Sequence, residues 1–457
     1  MSNRTIKAIA WLGILGVILM LFCNCPIELD IEKKKCFFVL CIQLLIIWLV
    51  LTVVINKFRI SIIEPIALFS VVHIAMFNIT PILCLLTNEI DWFGKDVWSG
   101  CCKGTWISTL AYCLILFMYY RRSPKFENYD IEARNPDYTR YNCLYFNYVV
   151  WFLAFSAHLY YIASSGKSVL YILLLGMGNH EAEMTEASSL AFLGVVAYAM
   201  LPSYLYILKY ATSKIMKIIL LYLMAATFIV RGFRFILIAI ILAPIIFICL
   251  DKNKRPKIYQ VISIFVILLL LTSILQLTRD SIRAGTGVDF NFFKDFSFDI
   301  IYDIILENFS IVKTYYGVVS SIPEKMGYTF GSQMILYTAI MMIPRALWPS
   351  KPQPVSPEVL SVSVSEYAAQ AGTAYPYIGE YYHEFGIVGV IVFSLLAGKM
   401  LNWLRLKMYE QSIGAKVLYA SVMPLIFQIM IRGYTPSNFY MILFVVLPVI
   451  ISEKFFP

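Results

Sequence analysis

The chain is dominated by apolar runs long enough to cross a lipid bilayer. The stretch from Ile215 to Leu250 shows this best. Apart from Lys217 near its start, it is interrupted only by Arg231-Gly232-Phe233-Arg234. A bilayer span takes about 20 apolar residues, because a helix rises about 1.5 Å per residue across a hydrocarbon core about 30 Å thick. Runs of this kind lie at roughly 6–23, 36–56, 60–86, 105–120, 144–163, 190–208, 215–230, 233–250, 258–277, 386–404, 415–431 and 437–452. In lipid, backbone polar groups must be satisfied internally, which a helix does within its own segment. The expected fold is an all-α polytopic membrane protein with about twelve transmembrane helices. Composition agrees: 14% of residues are charged, against about 25% in soluble domains. The net charge of +9 then belongs to helix ends, and no nucleic-acid partner is expected. Met1 to Leu21 has no small-residue cleavage site and reads as the first span.

Basic residues give the orientation. Arg121, Arg122, Lys125, Arg134 and Arg140 fill one connection, and Lys252, Lys254, Arg255 and Lys257 another. Lys57, Arg59, Lys209, Lys214, Lys217, Arg405 and Lys407 share that face, which the positive-inside rule makes cytoplasmic. Lys33, Lys34 and Lys35 dissent, falling outside beside Glu28, Asp30 and Glu32. The expected organisation is nine helices in 1–277, a large extracytoplasmic loop at 278–385, and three helices in 386–457. Within the loop, 297–319 sets Asp299, Asp303 and Glu307 on one face of an amphipathic helix, lying on the membrane or packed on the bundle. Residues 334–344 are too short to span and end at Pro344, as a re-entrant or interfacial helix would. Pro349, Pro352, Pro354 and Pro357 then impose an extended stretch.

This topology gathers cations where the positive-inside rule predicts few: Arg231, Arg234, Arg279, Arg283, Arg345, Lys351 and Arg432 all fall at the outer face. Ionisable groups near membrane depth mark functional sites. The guanidinium fork matches phosphate oxygens, so the expected ligand is a lipid phosphate or pyrophosphate. Nearby, Glu380, His383 and Glu384 share one helical face if a helix begins near Tyr377. A salt-bridge partner and a general base both remain open for Glu380. With four histidines in all, no metal site is expected. Nor do the ten cysteines form a CxxC pair; buried free thiols are expected. Trp348, Tyr375, Tyr377, Tyr381 and Tyr382 crowd the same region, as an interfacial belt or as sugar-stacking surfaces. Arg405, on the opposite face, is expected to tolerate replacement.

The string from Ile343 to Pro352, IPRALWPSKP, followed by YPYIGEYYHEFGIVG from Tyr375 to Gly389, resembles the Wzy-type oligosaccharide repeat-unit polymerases of O-antigen, capsule and exopolysaccharide pathways. The Arg-Gly-Phe-Arg hairpin is similar to a glycine–arginine segment of that family. The clear match covers roughly 230–400. The resemblance implies a fold similar to the C-type membrane glycosyltransferases, in the bacterial inner membrane. It also implies transfer of a growing glycan from undecaprenyl pyrophosphate to the next lipid-linked unit on the outer face. Arg231, Arg234 and Arg345 fall on family-like motifs, as do His383 and Glu384 on a pattern that tolerates other residues there. The seven cations would bind pyrophosphate, and Trp348, Tyr377 and Tyr381 the sugar, while Glu380 or His383 takes a proton. No cofactor or metal is implied; membrane lipids and a chain-length regulator are the expected partners. An O-antigen ligase is the nearest alternative. A flippase or transporter is of another class and would show paired halves and mid-membrane polar residues.

Overall fold

The computed structural model describes residues 29–58, 63–89, 91–121, 136–163, 191–230, 234–253, 309–345, 347–370 and 372–456, with a few isolated positions elsewhere. The spans expected at 6–23 and 258–277, and Asp299, Asp303 and Glu307, lie essentially outside these residues. Helices dominate. In chain order they are α1 (Ile31–Phe58), α2 (Pro65–Leu86), α3 (Trp98–Tyr120), α4 (Pro136–Ala163), α5 (Leu193–Tyr210), α6 (Lys214–Val230) and α7 (Arg234–Asp251). There follow α8 (Ile311–Ser321), α9 (Ser356–Ser363), α10 (Glu366–Gln370), α11 (Tyr377–Tyr409), α12 (Ile413–Ile431) and α13 (Thr435–Phe455). Among the described residues, eight of these are long and apolar enough to cross a membrane: α1 to α5 and α11 to α13. A hairpin of two short antiparallel strands, β1 (Asp91–Trp92) and β2 (Lys95–Asp96), links α2 to α3.

Several helices start before their apolar runs, because packing and pairing hold polar first turns that hydropathy ignores. α1 takes in Lys33, whose ammonium lies 2.8 Å from Asp30 and 2.9 Å from Asp96. α11 starts at Tyr377, ahead of the apolar run at 386. Polar side chains also tie the first spans together: Asn78 of α2 donates to Gln43 of α1 (2.9 Å), which donates to Ser108 of α3 (2.8 Å). Interhelical hydrogen bonds of this kind contribute about 1 kcal/mol each in a bilayer.

The described part of the 297–319 segment is α8, and it is packed on the bundle. Val312, Tyr315, Tyr316, Val318 and Val319 are at most 1% exposed. Even Lys313 is buried, donating to the Glu89 carbonyl (2.7 Å) and lying over the Trp92 ring. Residues 332–340 form a π-helical turn (Ser332–Tyr337) and one α-turn (Thr338–Ile340), too short to span.

Side-chain contacts fix which helix ends lie together. Lys103 sits over Tyr382 near the starts of α3 and α11, and Arg405 over Tyr119 near their ends, so these two helices run parallel. The β-hairpin, α8, α9 and the start of α11 therefore share one end of the bundle, called here the site end. At the opposite end Arg140 covers Tyr210, Lys209 pairs with Asp251 (2.7 Å), and Ser412 reaches Glu453 (3.1 Å). Because α7 finishes there, its first residue, Arg234, lies about 27 Å away at about 1.5 Å per residue, toward the site end.

Arg405 itself corrects an expectation. It is 7% exposed, lies 3.4 Å from the Glu64 carboxylate, and covers the rings of Tyr119 and Tyr120. Tyr119 and Tyr409 also donate to Glu64. Removing one partner of a buried pair leaves the other uncompensated, so Arg405 is not a tolerant surface position.

Candidate functional site

The site grows from a break in α11. Phe385 and Gly386 leave helical geometry, Gly386 with φ 60° and ψ −147°. That conformation is open essentially to glycine alone, and a Cβ there would stand 2.8 Å from the Tyr328 ring. The break frees the carbonyls of His383 and Glu384, and the N–H groups of Thr329 (3.0 Å) and Phe330 (2.9 Å) occupy them. The Glu384 side chain turns the other way. Its carboxylate accepts from the N–H groups of Gly331 (2.5 Å), Gln333 (3.0 Å) and Met334 (3.3 Å), capping the π-helical turn.

Glu380, one turn earlier, is 1% exposed and caps a different helix. Thr435, the first residue of α13, donates to it through its N–H (2.9 and 3.0 Å) and its hydroxyl (2.7 Å). An anion at a helix N-terminus is favoured by the aligned peptide dipoles. A third bond comes from Gln333 Nε2 (3.1 Å).

Gln333 is the hub. Its Nε2 also donates to the Tyr375 hydroxyl (2.9 Å), and its Oε1 accepts from both the N–H (2.8 Å) and the hydroxyl (2.7 Å) of Ser356. Tyr375 further contacts Ser356 Oγ (2.8 Å) and His383 Nε2 (2.9 Å), while His383 Nδ1 meets Thr329 Oγ1 (3.2 Å). Burial pushes the Tyr375 phenol up, so it keeps its proton. Counting protons then fixes the direction of the chain. The single Ser356 hydroxyl proton goes to Gln333, so Tyr375 must donate to Ser356 and His383 Nε2 must carry a hydrogen to donate to Tyr375. Hydrogen bonds run from His383 through Tyr375, Ser356 and Gln333 to Glu380.

The cations are distributed differently from one another. Arg345 braces its own loop: its guanidinium donates to the carbonyls of Lys351 (2.9 Å) and Pro352 (3.4 Å) and to Gln353 Oε1 (2.8 Å). Lys351, 6% exposed, donates to the carbonyls of Met341 (2.9 Å) and Ile343 (3.1 Å). Arg432 is exposed, on a turn whose Gly433 N–H donates to the Tyr375 carbonyl (2.9 Å); a Cβ on Gly433 would lie 2.5 Å from the Tyr377 Cα. That glycine lets the Arg432 turn lie directly on the start of α11. Arg231, Arg279 and Arg283 lie outside the described residues. Among the aromatics, Trp348 is half-buried and donates to Ser350 (3.0 Å). Tyr377 is buried among Phe69, Phe77 and Tyr381, while Tyr381 is half-buried against Phe393.

Comparison with protein families decides the identity. The family model described as O-antigen polysaccharide polymerase Wzy matches residues 6–456. The chain belongs to the Wzy O-antigen polymerase family. No curated protein and no solved structure matches it. The resemblance seen at 230–400 thus lies within a match that covers nearly all of this Wzy-family chain. It is a multi-pass membrane protein whose family polymerises polysaccharide as a glycosyltransferase does.

Sequence reasoning about this Wzy-family site missed Gln333, Ser356, Thr435 and Thr329. A signal existed for Gln333, a lone amide at the head of an apolar stretch. Ser356 and Thr435 carry none, since their roles depend on segments far away in the chain.

Proposed function

We propose that this chain polymerises undecaprenyl-pyrophosphate-linked oligosaccharide repeat units at the outer face of the bacterial inner membrane. The site end of the bundle is then extracytoplasmic, and the full chain has about twelve spans, nine in 1–277 and three in 386–457, around the loop at 278–385. The observation that carries this reading is the meeting at one end of the bundle of Arg345, Arg432 and the start of α7 with the buried network of Glu380 and His383.

In the proposed reaction, an acceptor sugar hydroxyl attacks the donor's anomeric carbon as its bond to pyrophosphate breaks, with inversion from one displacement. Arg231, Arg234, Arg279, Arg283, Arg345, Lys351 and Arg432 supply positive charge for the departing pyrophosphate, which preorganised cations stabilise without reorganisation cost. No metal is then required. Glu380 takes the hydroxyl proton, with His383 orienting it through Tyr375, Ser356 and Gln333. Trp348 and Tyr381 are the proposed sugar contacts, whereas Tyr377, expected to be a third, is buried against Phe69 and Phe77 and packs the core instead; a chain-length regulator is the proposed protein partner. The test is elongation of a lipid-pyrophosphate repeat unit by the purified protein. Longer lipid-linked products are expected. Transfer only onto a lipid A core acceptor would make it a ligase, and translocation without elongation a transporter.

A further inference from the structure

Among the described non-glycine residues, Asn88, Phe93 and Phe330 take positive φ at the site end, and Phe93 is at the tip of the β-hairpin. Asp91 pairs with Asp96 and Trp92 with Lys95, leaving Phe93 and Gly94 as a two-residue loop with φ 53° and 75°. Two positive φ values define the turn that suits strand twist, and its first position favours asparagine, aspartate or glycine. A phenylalanine there is unfavourable, since its Cβ crowds the backbone. Residues held in such conformations cluster where function keeps them.

What the strain achieves is a ring position. Phe93 sits 4.8 Å from the Trp92 ring and 5.8 Å from the Tyr367 ring, centroid to centroid. Tyr367, on α10, is 68% exposed. Behind this pair the hairpin is fixed rigidly. Trp92 Nε1 donates to Thr314 (2.9 Å), Lys313 lies over Trp92, and Lys95 donates to the Ser363 carbonyl (3.2 Å) at the end of α9. The other end of α9 is Ser356, which bonds Gln333 in the site. At about 1.5 Å per residue, α9 puts roughly 10 Å between Ser356 and Ser363, and Tyr367 follows on α10 four residues further along the chain. Asp91 and Glu366, beside the pair in sequence, are exposed carboxylates. Aromatic faces take the apolar face of a pyranose, carboxylates accept from its hydroxyls, and the same carboxylates repel an anionic sugar.

We propose that Phe93 and Tyr367 form a stacking platform for neutral sugar units of the growing glycan, tied to the site network through α9. This rests on the polymerase reading for its occupant. The platform retains the chain between transfers, so it governs product length and not the individual transfer.

The test compares the full-length wild type with Phe93→Asn and Tyr367→Ala. Asparagine suits the turn better than phenylalanine, so the hairpin keeps its shape while losing the ring. Both variants are expected to perform the first transfers at the wild-type rate and to give shorter products. Fragments of the polymer, freed from lipid by mild acid, should quench tryptophan fluorescence in the wild type and bind roughly tenfold more weakly to each variant, about 1.4 kcal/mol. Unchanged product length with unchanged fragment binding overturns the platform and leaves the rings as an interfacial belt. If the wild type elongates nothing, the polymerase reading fails on its own. Titration with neutral β-linked hexose oligomers then decides the platform: quenching lost in Phe93→Asn supports it, and no quenching in the wild type overturns it.

Discussion

Glu380 holds Thr435 by both backbone N–H and hydroxyl, joining the start of α11 to the start of α13 across a gap of 55 residues in sequence. This contact separates a chemical role from a structural one. Glu380→Gln keeps a side-chain acceptor for Thr435 but loses the base, and elongation should fall about a hundredfold or more while the protein still accumulates. Thr435→Ala should lower stability by about 1 kcal/mol and leave turnover within a few-fold. Elongation assays beside thermal unfolding of both variants check this; a Glu380→Gln enzyme with normal turnover refutes the base.

The arginines test the leaving-group proposal. Alanine at Arg231, Arg234 or Arg345 should cost on the order of a hundredfold in rate, and lysine should not restore it, because the fork is lost. Arg345 needs an added readout, since it also braces residues 351–353. Membrane levels and protease resistance of Arg345→Ala show whether the loop survives. Chelator should leave elongation largely intact; a strict divalent requirement would reassign the charge stabilisation.

Arg405→Ala is expected to destabilise the protein by roughly 3–5 kcal/mol, because Glu64 would stay buried and uncompensated. The double variant with Glu64→Gln should recover much of that loss. Thermal unfolding of the single and double variants measures it, and equal stability of Arg405→Ala and wild type would contradict the buried pair.

The helix directions put Asp251 and Gly372 at opposite ends of the bundle, and the proposal makes the site end extracytoplasmic. A reporter fused after Asp251 should report cytoplasm, and one inserted at Gly372, an exposed turn with open space around it, the outer side. Both on one face would break the proposed gathering of cations in one compartment.

Much of this protein is decided by local chemistry that any stretch of sequence carries. Transfer of an apolar segment into lipid sums residue by residue, so most of the runs that fall among the described residues reappear as helices. The helical face shared by Glu380, His383 and Glu384 was likewise legible, because a start at Tyr377 and a period of 3.6 suffice to put them together. Their partners were not. Glu384 meets residues about fifty positions earlier and Glu380 one 55 positions later, and no local rule links them. Arg405 looked like a surface cation because charge near a helix end usually is. Only the approach of α2 and α3 shows it buried against Glu64, since burial of a charge depends on what packs around it and not on its neighbours in the chain.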